Sequence, residues 1–431
     1  MHRKTDIVVV GSGPSGSFSA LTAAKMGAEV TVCEEHKEIG LPSHCAGHIS
    51  IKGLMHLGLH LPTSAVENQI KGAVFYSPSG REFRVRLASP VTYVIERAMF
   101  DKHLAQFAQK AGAKFLLETR VKSLLLGNGQ VKGVTFGNRE KLASKMVIDA
   151  EGCASTILKQ IGLQMFDRSL VVNAVNGEVS QIDGVETDTV EVYLGQKFAP
   201  GLFAWIIPRR DGSAKVGLAT SGNPRKCLEH FVKSHPIARQ KFTSNAVKNL
   251  AYHLIPLGGP IPKTYYDGFV TVGDAASQVK PTTGGGVIMG LTCAKIAGES
   301  AYHAIQENDF SETCLSRYQH MWQKKVGFDM MVMRRIRLML NRLSDRRLDK
   351  IINLSSRLNL CESLQEIREI DFQGKTLIDL LKSPAAWVVA LYSLFGYLTS
   401  GRMSSLDTNL NHNSSNTIAV FSRCLNSSIN K

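Results

Sequence analysis

Apolar residues run together at 6–10 (DIVVV), recur at helical spacing from 15 to 27, and run together again in EVTVCE just after Gly27. A short continuous apolar run is the pattern of a strand buried on both faces, so this order predicts a βαβ unit with parallel strands. A further helix is predicted from about Arg97 to Ala111, leading into AKFLLETRVKSLLL and then a hairpin over QVKGVTFGNREKLASKMVIDAEG. From about 166 to 256 the pattern changes. AVNGEVSQI, TVEVYLG and FAWIIPRRDGSAKVGLAT alternate apolar and polar residues around turn signals, which predicts a largely antiparallel sheet able to cover a second ligand. GAVFYSPSGREFRV reads as an earlier excursion into that sheet.

After about 306 the chain becomes helical, and from 401 it is rich in Ser and Asn, a composition that predicts disorder. The boundaries expected are 1–70, 92–165 and 257–305 for a discontinuous nucleotide-binding domain, and 71–91 with 166–256 for a substrate domain. Residues 306–400 form a helical region and 401–431 a tail. No internal repeat is visible.

Composition narrows the function classes. The chain has 431 residues, and 44% hydrophobic content is ordinary for a globular protein with a real core. A net charge of +15 favours an anionic partner without choosing it; no nucleic-acid motif is read. Cysteines at 33, 45, 153, 227, 293, 314, 361 and 424 have neither zinc nor iron–sulfur spacing, so no metal site is predicted and a reduced, cytoplasmic setting is expected. MHRKTDIVVV has too short an apolar run for an export signal. AAWVVALYSLFGYL (385–398) falls short of the roughly 20 residues of a membrane-spanning helix but is able to lie on a membrane. RRIRLMLNRLSDRR holds six arginines and one aspartate; it reads either as a solvated helix on the body or as a face for anionic headgroups.

The chemistry begins in VVVGSGPSG, where Gly11, Gly13 and Gly16 have GxGxxG spacing between a predicted strand and helix. Small residues there let the backbone approach a pyrophosphate at the helix N-terminus. Glu34 ends the second strand, where a carboxylate can accept ribose hydroxyls; with Glu35 beside it, the site suits FAD or NAD better than NADP. A second motif, GFVTVGDAASQVKPTTGGGVIMG, delivers Asp274 at a strand end toward a ribityl chain. Free N–H groups near Gly285, Gly286 and Val287 then open an apolar helix.

Together these residues resemble the FAD-dependent geranylgeranyl reductases, within the group that shares the para-hydroxybenzoate hydroxylase fold. LPSHCAG is similar to the family's Pro-x-x-Cys segment, YVIERAMFDKHLAQFAQKAGA to its arginine-bearing helix, GDAASQVKPTTGGGV to its second flavin motif and REIDFQGKTLIDLLKSPAAW to its C-terminal end. The resemblance implies an α/β fold with a Rossmann-type FAD-binding domain, an antiparallel substrate domain and a C-terminal helical region. It implies FAD contacts at Ser15, Glu34, Cys45, Ala46, His48, Arg97, Val121, Asp274, Gly286 and Val287. Cys45 would border the flavin ring as proton donor, cavity wall or packing residue, with His44 and His48 as other proton sources. FAWIIP resembles the family's Tyr-x-Trp-x-Phe-Pro segment and implies substrate contacts at Phe203, Trp205 and Pro208, with Phe203 in place of Tyr and Ile207 in place of Phe. In DAEGCAS, Glu151 precedes Gly152 where hydroxylases of the larger group carry Asp-Gly for flavin and nicotinamide.

The expected activity is saturation of C=C bonds in geranylgeranyl lipid precursors, with electrons from ferredoxin, a deazaflavin or NAD(P)H. The chain is expected in the cytoplasm, peripheral at the inner face of the cell membrane. The rival readings are a flavin monooxygenase or halogenase of the same fold and a membrane-associated electron-transfer flavoprotein.

Overall fold

A computed structural model describes residues 3–137, 140–242, 247–365, 370–371, 373–380 and 383–399. The tail from 401, expected to be disordered, lies outside them. The apolar run at the start becomes the strand Arg3–Val10, flanked in parallel by Lys141–Asp149 and Val30–Cys33. Phe269–Thr271 and Lys114–Leu116 extend this parallel sheet on either side. The predicted hairpin attaches at its Lys141–Asp149 strand, paired antiparallel with Gln130–Phe136.

The helix Pro14–Lys25 covers one face of this sheet and buries Gly16, Ser17, Ser19, Ala20, Ala23 and Ala24. Small residues are needed because the helix Val287–Glu307 crosses it closely: a Cβ on Gly298 would stand 2.6 Å from the Ser19 carbonyl oxygen. This crossing joins the two glycine-bearing segments, 270 residues apart in the chain, in one core with Arg97–Lys110 and Glu312–Trp322.

The alternating region forms a seven-stranded sheet in the order Lys248–Pro256, Val171–Val179, Ala214–Thr220, Phe203–Pro208, Thr189–Tyr193, Gly72–Tyr76, Glu82–Arg86. Every pairing is antiparallel except Thr189–Tyr193 with Gly72–Tyr76, because the early excursion returns to the sheet through a long connection. A third sheet of His48–Ser50, Thr92–Ile95 and Val66–Ile70 links the two larger ones. It was not foreseen, since each of these strands is only three to five residues long.

The arginine-rich stretch is two helices, Phe328–Asn341 and Asp345–Arg357. Arg337 is buried and its Nε donates to the Pro281 carbonyl at 2.9 Å, with a second bond to the Thr282 carbonyl. Arg334 donates to the Gly258 carbonyl at 2.7 Å, and Arg347 to the Gly396 carbonyl. These three guanidinium groups satisfy backbone oxygens inside the fold, so the stretch does not present one face of six cations to solvent. Arg337 thereby holds the PTTGGG loop in place, helped by the Lys280–Asp371 ion pair at 2.8 Å.

Asp149 closes the strand beneath both motifs. Its carboxylate accepts from Thr271 Oγ1 at 2.9 Å, Ser155 Oγ at 3.3 Å and the Glu151 N–H at 3.0 Å. Burial, followed by the Glu151 charge, pushes its carboxyl up to about 7 against those three donors. A raised value means that the folded protein holds this proton more tightly than the unfolded chain. The resulting stability is complete below the unfolded carboxylate value and is lost as pH rises through 7. Urea unfolding is therefore expected to show a loss on the order of 1 kcal/mol between pH 6 and 8. Asp149→Asn should flatten that slope, and an unchanged slope would show that another group carries it.

Candidate functional site

The first glycine turn has the close contacts that its spacing implies. A Cβ on Gly16 would stand 2.0 Å from the Gly11 carbonyl oxygen, and one on Gly11, at φ +95°, would stand 2.5 Å from that of Ala150. Gly13 is different: a Cβ there meets nothing within 4 Å. Gly13 caps the helix Pro14–Lys25 without any side-chain hydrogen bond, so the N-terminal N–H groups open on free space. Glu34 follows directly on the strand Val30–Cys33, with Oε2 accepting from the N–H and Oγ of Ser12, and Oε1 accepting from the His36 N–H and facing His36 Nδ1 at 2.6 Å. Burial raises the carboxyl, but these bonds outweigh it and hold the group below its ordinary value, so Glu34 is ionised. Val121 lies close by, since the Thr119 N–H donates to the Glu34 carbonyl at 2.7 Å.

Ser15 is where the two motifs meet. Its Oγ stands 2.6 Å from the position a Cβ would take on Gly273 and equally close to that on Gly290. Asp274 lies in a 3₁₀ turn, Gly273–Ala276, three residues beyond the end of the strand Phe269–Thr271 that was expected to end at it. Its Oδ1 is 3.0 Å from the Cβ position of Gly286, the residue that caps the helix starting at Val287. Asp274, Gly286 and Val287 therefore share one corner with Ser15.

The Cys45 loop enters from the other side. Gly47 has φ +71°, and a Cβ there would stand 2.2 Å from the Ile95 carbonyl oxygen, so the loop needs glycine. Cys45 is exposed and its Sγ accepts from the Gly47 N–H at 3.4 Å. Arg97 is an ion-pair partner of Asp101, its Nε reaching Oδ1 at 3.2 Å; burial opposes its charge, but Asp101 and the nearby Cys45 raise its value. His48 bonds Thr92 Oγ1 at 2.5 Å. His44 stacks on His253 with ring centroids 4.7 Å apart. Burial first, then His253 and Arg97, lower its value to about 4 while Asp274 acts against them, so His44 is neutral at physiological pH.

Strand alternation sorts FAWIIP. Phe203, Trp205 and Ile207 share the face that packs with Val172, Leu202, Ile255 and Ala46, whereas Ala204 and Ile206 face the opposite core. Pro208 falls on that opposite side by the same alternation and offers its carbonyl to Asn68 Nδ2 at 2.8 Å. Trp205 Nε1 donates to Asn176 Oδ1 at 3.1 Å, and the ring lies over Gly217, whose Cβ would stand 2.6 Å from Cζ2. Gly217 and Asn176 were missed. The signal for Gly217 was present, because closing the hairpin at RRDGS sets Trp205 opposite Gly217. Cys153 and His253 were also missed. Cys153 Sγ donates to the Leu254 carbonyl at 3.1 Å and lies 3.8 Å from Asp274 Oδ2, and His253 Nε2 is 3.5 Å from the same oxygen. Glu151 turns onto its own loop, accepting from Ser155 Oγ at 3.1 Å and the Thr156 N–H at 3.0 Å.

A helix start open to an anion, an ionised acid at the strand end and a second turn brought to the same corner suit a flavin dinucleotide, and they define an FAD-dependent oxidoreductase. Residues 6–162 match the family model described as FAD dependent oxidoreductase, and residues 171–250 match that of the geranylgeranyl reductase catalytic domain. The digeranylgeranylglycerophospholipid reductase of Methanocaldococcus jannaschii is 34% identical over 351 residues, covering 80% of this chain and 89% of that protein. The chain belongs to the geranylgeranyl reductase family. A solved structure from Thermoplasma acidophilum, described as geranylgeranyl bacteriochlorophyll reductase-like, superposes with a TM-score of 0.79 at 27% identity, covering 91% of this chain and all of that one. A flavin-dependent brominase, at 16% identity with a TM-score of 0.65 over 96% of this chain and all of that one, shares the fold alone.

Proposed function

We propose that this protein saturates isolated C=C bonds in the geranylgeranyl chains of isoprenoid membrane-lipid precursors. The observation that carries this reading is the meeting of the Cys45 loop with an apolar sheet face. Ala46 packs with Trp205 and Ile207, and Gly284 of the second motif approaches Ile255 and Leu202. FAD, when bound and reduced, supplies a hydride, and the second alkene carbon takes a proton. The chain's own residues then have three tasks. Gly11, Gly13, Ser15, Gly16, Glu34, Val121, Asp274, Gly286 and Val287 hold the dinucleotide. Phe203, Trp205 and Ile207 exclude water and align an unactivated chain that has no polar handle at the reacting carbons. Cys45, held by the Gly47 N–H, stands at the boundary between them.

His44 and His48, each lowered to about 4 chiefly by burial, are neutral and poor acids at physiological pH, which leaves the Cys45 thiol as the better candidate to donate. If it does, Cys45→Ser should still bind FAD and accept electrons but reoxidise at least tenfold more slowly with a geranylgeranyl lipid, because a hydroxyl is a far weaker acid. If Cys45 is a wall, serine should keep most of the rate and Cys45→Leu should lose it. Anaerobic stopped-flow traces of each variant decide, and wild-type rates in both would remove Cys45 from the chemistry.

A peripheral membrane contact has support in a different place from the arginine stretch. Among the described residues no helix is long and apolar enough to cross a membrane. The helix Pro384–Leu398 nevertheless exposes Val388, Leu391, Leu394, Phe395 and Leu398 along one side, with Phe395 64% and Leu398 70% exposed. Its other side packs Ala386, Ser393 and Gly396 on the body, so the exposed apolar side is free to enter the headgroup boundary. Vesicle sedimentation is expected to drop severalfold for Leu391→Glu/Phe395→Glu while changing little with salt. Binding that salt abolishes, and that this pair leaves intact, would return the role to exposed cations.

A further inference from the structure

The three side chains around Asp274 Oδ2 come from separate segments: Cys153 from the turn Gly152–Ala154, His253 from the strand Lys248–Pro256 and Asp274 from the turn Gly273–Ala276. No spacing along the chain reveals this group, and the sequence reading predicted no metal. Their ligand atoms all lie within 4.8 Å of one another. Tetrahedral zinc, with bonds of about 2.3 Å to sulfur and about 2.0 Å to nitrogen or oxygen, sets ligand atoms roughly 3.3–3.6 Å apart. Two of the three separations, sulfur–oxygen at 3.8 Å and nitrogen–oxygen at 3.5 Å, come within a few tenths of an ångström of that requirement, and the third, sulfur–nitrogen, lies within 4.8 Å and closes by rotation of the partly exposed His253 ring. One sulfur, one imidazole and one carboxylate also select by type, since they suit zinc or cobalt and not magnesium or calcium.

We propose that the apoprotein binds a thiophilic divalent cation of the zinc class at Cys153, His253 and Asp274, and that this cation and FAD exclude one another. On binding, the Cys153 S–H bond, now directed at the Leu254 carbonyl, breaks heterolytically. Its proton leaves to water, a sulfur–metal bond forms, and the cation sheds hydration water with no change of oxidation state. Thiolate and carboxylate together cancel the two positive charges. Water fills the open coordination position, because His253 and Asp274 both remain about one-third exposed. The exclusion rests on the cofactor reading above: the metal takes Asp274 Oδ2 while Oδ1 of the same carboxylate stands beside Gly286, so the cation with its bound water draws off the carboxylate's charge and crowds the corner where the cofactor must fit.

Cobalt(II), added anaerobically to apoprotein stripped of FAD, gives the direct test. A sulfur-to-cobalt charge-transfer band with tetrahedral visible bands should appear at one equivalent and be displaced by zinc. The band should vanish in Cys153→Ser, weaken at least tenfold in affinity in His253→Gln, and persist in Cys45→Ser. Saturating FAD should lower cobalt affinity at least tenfold, and cobalt should weaken FAD binding by the same factor, as linkage requires. No sulfur band in the wild type, or one that survives in Cys153→Ser, overturns the site. A band unaffected by saturating FAD overturns the exclusion. A protein that never binds FAD would count against the cofactor reading, while the cobalt band reads the cation site by itself.

Discussion

Gly16→Val is expected to yield protein without flavin. A Cβ at this position would stand 2.0 Å from the Gly11 carbonyl oxygen and 3.3 Å from the Ala150 Cβ, and the first of these is backbone that cannot turn aside. Overpacking of this kind costs about 1–3 kcal/mol in stability. Its larger effect is on the turn, because the peptide that moves is the one that lets a pyrophosphate reach the helix N-terminus. A fall in FAD affinity of at least about 100-fold, near 3 kcal/mol, is expected. Gly13→Val separates folding from binding. Space is open around its Cβ, so the protein should fold and melt like the wild type while the side chain occupies the ground over the helix start. Flavin fluorescence after gel filtration, beside a thermal melt, reads both; a yellow, fully loaded Gly13→Val protein would contradict the placement of the cofactor.

The second large effect is expected at Gly217. A side chain there meets the Trp205 ring at 2.6 Å and the Val175 carbonyl oxygen at 2.4 Å. Gly217→Val must push the indole off Asn176 and into the space proposed for the lipid chain. FAD binding and flavin reduction should survive, since neither motif touches Gly217, but reoxidation by a geranylgeranyl lipid should fall at least about 30-fold, near 2 kcal/mol of lost transition-state alignment. Trp205→Phe keeps an aromatic wall without the bond to Asn176 and should retain more activity than Gly217→Val. A Gly217→Val enzyme that turns over normally would place the substrate elsewhere.

Much of this could be read from the chain because it is local. DIVVV is a buried strand by its run of apolar residues, and GSGPSG between it and a helical pattern reads as the turn that opens the helix, with Glu34 adding weight. FAWIIP and its return strand fix their own register through RRDGS. What was not readable depends on contacts between distant segments. The linking sheet is made of strands too short to carry a period. Nothing in RRIRLMLNRLSDRR says that Arg337 reaches the Pro281 carbonyl or that Arg347 reaches that of Gly396. Pro208, grouped with Phe203 and Trp205 by resemblance, lies across the strand from them because side chains alternate. His253 and Cys153, 100 residues apart, meet only after the substrate sheet has packed on the Asp274 turn.

The central claim, alkene saturation on a geranylgeranyl chain, is tested most directly by mass spectrometry. Purified holoprotein, reduced anaerobically with dithionite, would be given a digeranylgeranylglycerol phospholipid. The account predicts product masses that rise by two hydrogens for each bond saturated, with no oxygen added and none in the Gly16→Val control. Lipid recovered at its original mass from a fully reduced, FAD-loaded enzyme, or gaining oxygen when air is admitted, would contradict it.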